Sequence, residues 1–205
     1  MKLYDSRRAP NPRRVRWVMA EKGVEDIEII DVDLLKGEHR QAGYREKAGI
    51  AQVPALELDE SLTITESVAI CRYLESVYPE PNLFGRDARE IAVIEMWTRR
   101  AELYVANPMM LATRYSHPAL SVLEGADPVM AAKHQGHAEK MLKHLERQLE
   151  GREFICADRL TMADIVAVSG MDFARMIKWR PPEALVNVNR WYAAMRARPA
   201  AQAGM

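Results

Sequence analysis

The chain has 205 residues, of which 48% are hydrophobic and 28% charged, and its 29 basic side chains balance 29 acidic ones. This composition predicts one or two soluble, folded domains and excludes both an extended disordered chain and a strongly basic nucleic-acid binder. The sequence has neither an apolar run long enough for a membrane span nor a secretory signal, and its two cysteines form no CxxC motif, so we expect a cytoplasmic protein with no nucleic-acid or membrane partner and no metal.

Residues 1–79 predict a mixed α/β domain, because short strand-like runs alternate with helical ones. The expected element order is β-α-β-α-β-β-α, which implies a small mixed sheet. The predicted strands cover residues 2–4, 27–32, 53–58 and 62–64, and the predicted helical segments cover 15–22, a polar stretch around 40–47, and 66–78.

Prolines and a glycine interrupt this pattern after the last predicted helix. Pro79, Pro81 and Gly85 disfavour regular structure, so we expect a linker over residues 80–87. The pattern downstream is helical, and residues 88–205 are expected to form an all-helical bundle. Its helices are predicted at 88–115, 127–151, 162–178 and 183–198.

Two dipeptides suggest a ligand site in the first domain. Pro54 follows Gln52 and Val53, and a cis bond there would expose the Val53 backbone to an extended ligand; the alternative is an ordinary proline at a strand edge. Glu66-Ser67 opens a helix after Thr65, an expected N-cap. The Ser67 hydroxyl and first-turn N–H groups suit a carboxylate, and Glu66 suits an ammonium; the alternative is a capped helix with an acidic first turn.

The sequence resembles the soluble glutathione transferases. The resemblance lies in the element order and in two dipeptides, Val53-Pro54 and, twelve residues further on, Glu66-Ser67. The resemblance covers essentially the whole chain: segment 35–39 (Leu-Lys-Gly-Glu-His) is similar to theta-like members, and segment 160–165 (Leu-Thr-Met-Ala-Asp-Ile) is similar to the core of the family's helical domain. The segment Ala9-Pro10-Asn11 resembles nu-like members. The resemblance implies a thioredoxin-like domain, glutathione as co-substrate, a homodimer, and a capping box between Thr161 and Asp164. The glutathione-binding residues that it implies are His39, Gln52, Val53, Pro54, Glu66 and Ser67.

The loop after the first strand departs from the family pattern. The usual catalytic serine or cysteine position falls on Ala9, which cannot donate to a thiolate. We expect Asn11 to face the glutathione sulfur, with Ser6 as second candidate; the alternative for Asn11 is a helix N-cap or turn residue. Five arginines lie in the same region. Most are expected to point to solvent or to pair with acidic residues, while the charges of one or two are expected to lower the pKa of the bound thiol. The five arginines are Arg7, Arg8, Arg13, Arg14 and Arg16.

Five residues of the helical domain are candidates for binding an apolar electrophile, placed by the order of the helices alone. For each of them packing in the core is the alternative. They are Tyr104, Asn107, Met110, Tyr115 and Trp179.

The predicted activity is glutathione transfer, in which the peptide's thiolate attacks the electrophile. Glutathione-dependent disulfide reduction is the enzymatic alternative, favoured by the missing serine. A transferase-like interaction module without catalysis is the alternative of another class.

Overall fold

A computed structural model describes residues 1–120 and 125–202. They form two compact units. Unit 1 comprises residues 1–82 and the C-terminal segment that begins at Pro199, and unit 2 comprises Leu83–Arg198. The helical domain was expected to run to residue 205, whereas the segment from Pro199 groups with unit 1.

Unit 1 has the predicted order β-α-β-α-β-β-α. Its mixed sheet has the strand order β2-β1-β3-β4, in which β1 is parallel to β2 and antiparallel to β3, and β3 is antiparallel to β4. The elements are β1 (Lys2–Asp5), α1 (Pro10–Glu21), β2 (Glu28–Asp31), a 3-10 turn (Glu38–Arg40), α2 (Ala42–Ala48), β3 (Ala55–Glu57), β4 (Thr63–Thr65) and α3 (Ser67–Val77).

Strand alternation divides the core of unit 1 between the two faces of the sheet. Tyr4 of β1 lies in one apolar cluster with Tyr44 of α2, and their rings meet edge to face at 5.9 Å. Leu3 and Leu56, paired in register between β1 and β3, are completely buried on the other face. Helices α1 and α3 pack against each other, and α3 also contacts β3.

A buried lysine ties α1 to the chain that follows α3. The Lys22 ammonium donates to the carbonyls of Tyr78 at 2.7 Å and Pro81 at 2.8 Å, and lies 2.8 Å from the carboxylate of Glu75. Three oxygen acceptors match the three N–H donors of an ammonium, which offsets the cost of burying the charge.

Unit 2 is helical: α4 (Ala88–Ala101), a π-helical turn (Glu102–Ala106), α5 (Asn107–Ser116), α6 (Pro128–Gln148), α7 (Met162–Phe173), a 3-10 turn (Ala174–Ile177) and α8 (Val186–Ala197). The predicted continuous helix over 88–115 is interrupted by the π turn, just before Pro108. Proline has no N–H, and its ring clashes with the carbonyl four residues earlier, so a wider turn accommodates it. Within the described ranges, no helix is both long and apolar enough to cross a membrane.

Helix α7 is the buried centre of unit 2 and begins with the predicted capping box. Asp164 accepts hydrogen bonds from the Thr161 backbone N–H at 3.0 Å and the Thr161 hydroxyl at 2.9 Å. Its second oxygen accepts from the N–H of Ile155 at 3.0 Å and from the Trp191 indole at 2.9 Å. The carboxylate therefore joins α7 to the preceding loop and to α8.

An ion pair anchors the same loop to the start of α4. Both terminal nitrogens of Arg159 donate to Glu90, at 2.6 and 2.9 Å. The hydrogen bonds from Arg159 contribute most to lowering the pKa of Glu90 to about 2, and a hydrogen bond from the Arg86 N–H contributes less.

Candidate functional site

The predicted cis bond between Val53 and Pro54 is present in the loop that leads into β3. The strand itself begins at Ala55, two residues later than a strand starting at Val53 would have it. The carbonyl of Gln52 accepts a hydrogen bond from the Tyr44 hydroxyl, whereas the Val53 backbone N–H and C=O have no hydrogen-bond partner among the described residues. A ligand backbone can therefore pair with Val53 as a further strand would.

The start of α3 differs from the predicted N-cap. Thr65 is wrong as the cap, because it pairs with Ala55 as the last residue of β4. The cap is Glu66, whose φ of 68° and ψ of 114° turn the chain from strand to helix. This conformation is costly for a residue with a Cβ. Ser67 is thus the first residue of α3, and its neighbour Glu66 is exposed.

The Ser67 side chain is buried at the junction of α3 with α1. Its relative exposure is 5%, and its hydroxyl oxygen accepts a hydrogen bond of 3.1 Å from Nη1 of Arg14, which is 1% exposed. One turn further along α3, burial raises the pKa of Cys71 to about 12, so this thiol stays protonated near neutral pH.

His39 lies in the 3-10 turn between β2 and α2. The loop before it is fixed by Asp33, whose carboxylate accepts from the N–H groups of Leu35 and Lys36, and by Glu38, which accepts from the Asp33 N–H at 2.8 Å. His39 is 8% exposed, and its Nδ1 is buried without a hydrogen-bond partner in the described part of the chain. Burial, and then the charge of Arg40, lowers its pKa, so the imidazole is neutral near neutral pH.

Asn11 is the second residue of α1, directly after the loop that follows β1. The N-cap of α1 is Ala9, so the alternative interpretation of Asn11 as the cap is wrong. The side-chain oxygen Oδ1 of Asn11 is buried with no hydrogen-bond partner in residues 1–120 and 125–202. Ser6, the second candidate, is half-buried one residue beyond β1, and its carbonyl accepts from the Ala9 N–H at 2.9 Å.

Three of the five arginines match the prediction, since Arg7 and Arg8 are exposed and Arg16 pairs with an acidic residue. Arg13, Arg14 and Arg16 are nevertheless buried, because α1 is buried all round from Pro12 to Met19. Arg16 forms the expected ion pair with Asp5 and also donates to the Arg7 carbonyl at 2.8 Å. Burial raises the pKa of Asp5 and lowers the pKa of Arg16. In each residue the opposite charge of the partner acts against this shift in pKa. The pair holds the loop between β1 and α1.

Arg13 links α1 to the C-terminal segment of unit 1. Its Nη2 donates to the carbonyl of Ala201 at 3.1 Å, and its guanidinium lies 5.5 Å from the ring centroid of Trp17. The 3-10 turn Ala200–Gln202 contacts α1 in this way.

The electrophile-site candidates of unit 2 differ in exposure. Tyr104 on the π turn is 54% exposed, whereas Met110 and Trp179 are 6% and 7% exposed, as the core alternative predicts. Asn107 begins α5, and Tyr115 of that helix stacks on His134 of α6 at 6.0 Å. In the described ranges, no three His, Cys, Asp or Glu side chains are grouped to hold a metal ion.

Unit 1 defines a thioredoxin-like domain with a cis-proline loop and a polar helix start, and it precedes a helical unit. Comparison with protein families matches residues 1–76 to the N-terminal domain and residues 108–199 to the C-terminal domain of glutathione S-transferase. Glutathione S-transferase 2 of Saccharomyces cerevisiae is 31% identical over 97% of this chain and 87% of its own length. The chain belongs to the glutathione S-transferase family.

Further relatives span nearly the whole chain. Glutathione S-transferase 3 of Zea mays is 31% identical over 98% of this chain and 91% of its own. The crystal structure of Gtt2 from Saccharomyces cerevisiae has a TM-score of 0.92 at 30% identity and covers 100% of both chains. A glutathione S-transferase domain-containing protein from Marinobacter aquaeolei has a TM-score of 0.92 at 37% identity, covering 98% of this chain and 100% of its own.

Proposed function

We propose that this chain is a glutathione transferase in which unit 1 binds glutathione as a thiolate and unit 2 contributes the site for an apolar electrophile. The observation that carries the proposal is the start of α3, where a buried hydroxyl and an exposed carboxylate stand side by side on Ser67 and Glu66. The γ-glutamyl end of glutathione carries a carboxylate and an ammonium on one carbon. The two side chains complement that pair.

At this end, the Ser67 hydroxyl donates to the γ-glutamyl carboxylate, and the first-turn N–H groups of α3 favour the same negative charge. The Glu66 carboxylate accepts from the ammonium. The cap conformation of Glu66, with its φ of 68°, supports this role, because strained residues persist where the surrounding structure and function hold them.

The peptide backbone of glutathione pairs with Val53, whose N–H and C=O are both available in the described ranges. Gln52, exposed, and Pro54, buried, flank this contact. His39 binds the glycine end as a neutral imidazole, since its pKa lies below the ordinary value. A neutral ring donates one hydrogen bond, which suits the terminal carboxylate.

Asn11 takes the place of the missing serine or cysteine. Its side-chain amide supplies N–H donors for the thiolate, which Ala9 cannot do. The support is that Asn11 does not cap α1 and that its Nδ2 donates to no acceptor in the described part of unit 1. Ser6 is the second candidate donor. The exposed charges of Arg7 and Arg8 add positive potential, which favours the ionised thiol.

The electrophile site belongs to unit 2 in this proposal. Tyr104, Asn107 and Met110 follow one another at three-residue intervals along the π turn and α5, and the exposed Tyr104 ring is the contact surface best supported. Tyr115 and Trp179 complete the proposed set. We also propose that the protein is a theta-like or nu-like bacterial member of the family and, as the resemblance implies, a homodimer. We propose that it acts in the cytoplasm.

The test is turnover of glutathione with a panel of aryl halides, epoxides, peroxides and mixed disulfides, together with binding to immobilised glutathione. Conjugation of one or more electrophiles supports the proposal. Turnover confined to mixed disulfides would favour disulfide reduction, and neither binding nor turnover would favour an interaction module.

A further inference from the structure

The inside of α1 carries a charged side chain that the proposed chemistry does not use directly. Arg14 is 1% exposed, and its Nη1 lies 3.1 Å from the Ser67 hydroxyl oxygen. Burying a guanidinium is costly, and an apolar residue of similar size often stabilises a core as well or better. The hydrogen bond to Ser67 connects this buried charge to the residue proposed to hold the γ-glutamyl carboxylate.

A serine hydroxyl has one hydrogen to donate and two lone pairs that accept. In this structure the Arg14 N–H occupies an acceptor position on Ser67. The hydroxyl hydrogen is thereby directed away from the guanidinium, and the positive charge polarises the O–H bond. An oxygen held in this way donates more strongly to an anion than an isolated hydroxyl does.

We propose that Arg14 is a positioning residue for glutathione, fixing the Ser67 hydroxyl so that its hydrogen is presented to the γ-glutamyl carboxylate. This inference rests on the proposed function of Ser67. Arg14 acts on the peptide through Ser67. The planar guanidinium fixes a direction that a lysine ammonium does not, so lysine replaces it only in part.

The experiment compares two peptides by calorimetry: glutathione, and 4-aminobutanoyl-cysteinyl-glycine, which keeps the ammonium but lacks the neighbouring carboxylate. In Arg14→Met, we expect the dissociation constant for glutathione to rise about tenfold or more, the scale of one hydrogen bond to a charged group. The constant for the analogue should change less than about twofold, and Arg14→Lys should recover part of the loss.

Arg13→Met is the matched control, because Arg13 is a buried neighbour on α1 that donates to the Ala201 carbonyl. It should change both affinities by the same factor. In a Ser67→Ala background, Arg14→Met should add little to the loss of glutathione affinity. This non-additivity is expected of a residue that acts through Ser67, and a general loss of fold does not produce it.

An equal loss of affinity for the two peptides in Arg14→Met, or full additivity with Ser67→Ala, would overturn the positioning role and leave the proposed function intact. A wild-type protein that fails to bind glutathione, or that binds both peptides equally, would instead overturn the assignment of the Ser67 site. The two failures are therefore distinguishable.

Discussion

Replacing Asp164 by asparagine tests the junction at the start of α7. The carboxylate is completely buried and accepts four hydrogen bonds, two on each oxygen. Asparagine keeps one oxygen and puts an NH₂ group in place of the other. In the least costly orientation the NH₂ faces Thr161, whose hydroxyl can turn to accept, while the Thr161 backbone N–H loses its acceptor.

A buried donor without an acceptor costs about 1–3 kcal/mol, and each of the two remaining bonds loses roughly 1 kcal/mol when a neutral carbonyl replaces a carboxylate. The free energy of unfolding should therefore fall by about 3–5 kcal/mol. For a protein of this size the melting temperature should fall by about 10 °C. Urea denaturation followed by far-ultraviolet circular dichroism measures the first quantity and calorimetry the second.

Asp158→Asn is the matched control, because the Asp158 side chain in the same loop is 94% exposed. The same chemical change there should alter stability by less than about 0.5 kcal/mol. Equal stabilities of the two variants would refute the hydrogen-bond argument. Lost turnover in Asp164→Asn with an unaltered denaturation midpoint would move Asp164 into the active site.

Three further predictions concern separate residues. Ser67→Ala should weaken glutathione binding about tenfold or more, because a charge-assisted hydrogen bond is lost, and an unchanged dissociation constant in calorimetry would remove Ser67 from the site. The free energy of unfolding should be about 1–2 kcal/mol higher for Glu66→Gly than for Glu66→Ala, because only glycine relieves the φ of 68°. Equal denaturation midpoints of the two variants would show that no strain is stored there. Glu90 has a pKa lowered from 4.5 to about 2, so its contribution to stability is present above pH 4.5 and is lost as the pH falls toward 2. Glu90→Gln should flatten the stability profile over that range, and a profile identical to the wild type would contradict the role of this ion pair.

The fold of unit 1 was predictable because its strands and helices follow simple periodicities. The start of α3 was not, since threonine is a good N-cap and only the pairing of Thr65 with Ala55 across the sheet shows that it belongs to β4. The sheet determines where the helix can begin, so the cap falls on Glu66. Local propensity therefore predicted helix α3 but placed its N-cap at Thr65 instead of Glu66.

The buried arginines were missed for a different reason. Charged residues are usually exposed, so a run of arginines at a helix start suggests a solvated surface. Helical spacing gives no help here, because the structure buries every residue of α1 from Pro12 to Met19 and not one face alone. The contact of Arg14 with Ser67 depends on how α1 and α3 pack and has no signature in either segment.

In the proposed function, unit 1 binds glutathione and ionises its thiol without the usual serine or cysteine. The direct measurement is an ultraviolet titration of thiolate absorbance in the glutathione complex of the wild type, Asn11→Ala and Ser6→Ala. A free thiol has a pKa of about 8.5, and the bound thiol should ionise roughly one unit or more lower. Asn11→Ala should raise this pKa and Ser6→Ala should leave it unchanged. A wild-type complex that titrates like free glutathione would contradict the account, and a shift confined to Ser6→Ala would transfer the role of Asn11 to the serine.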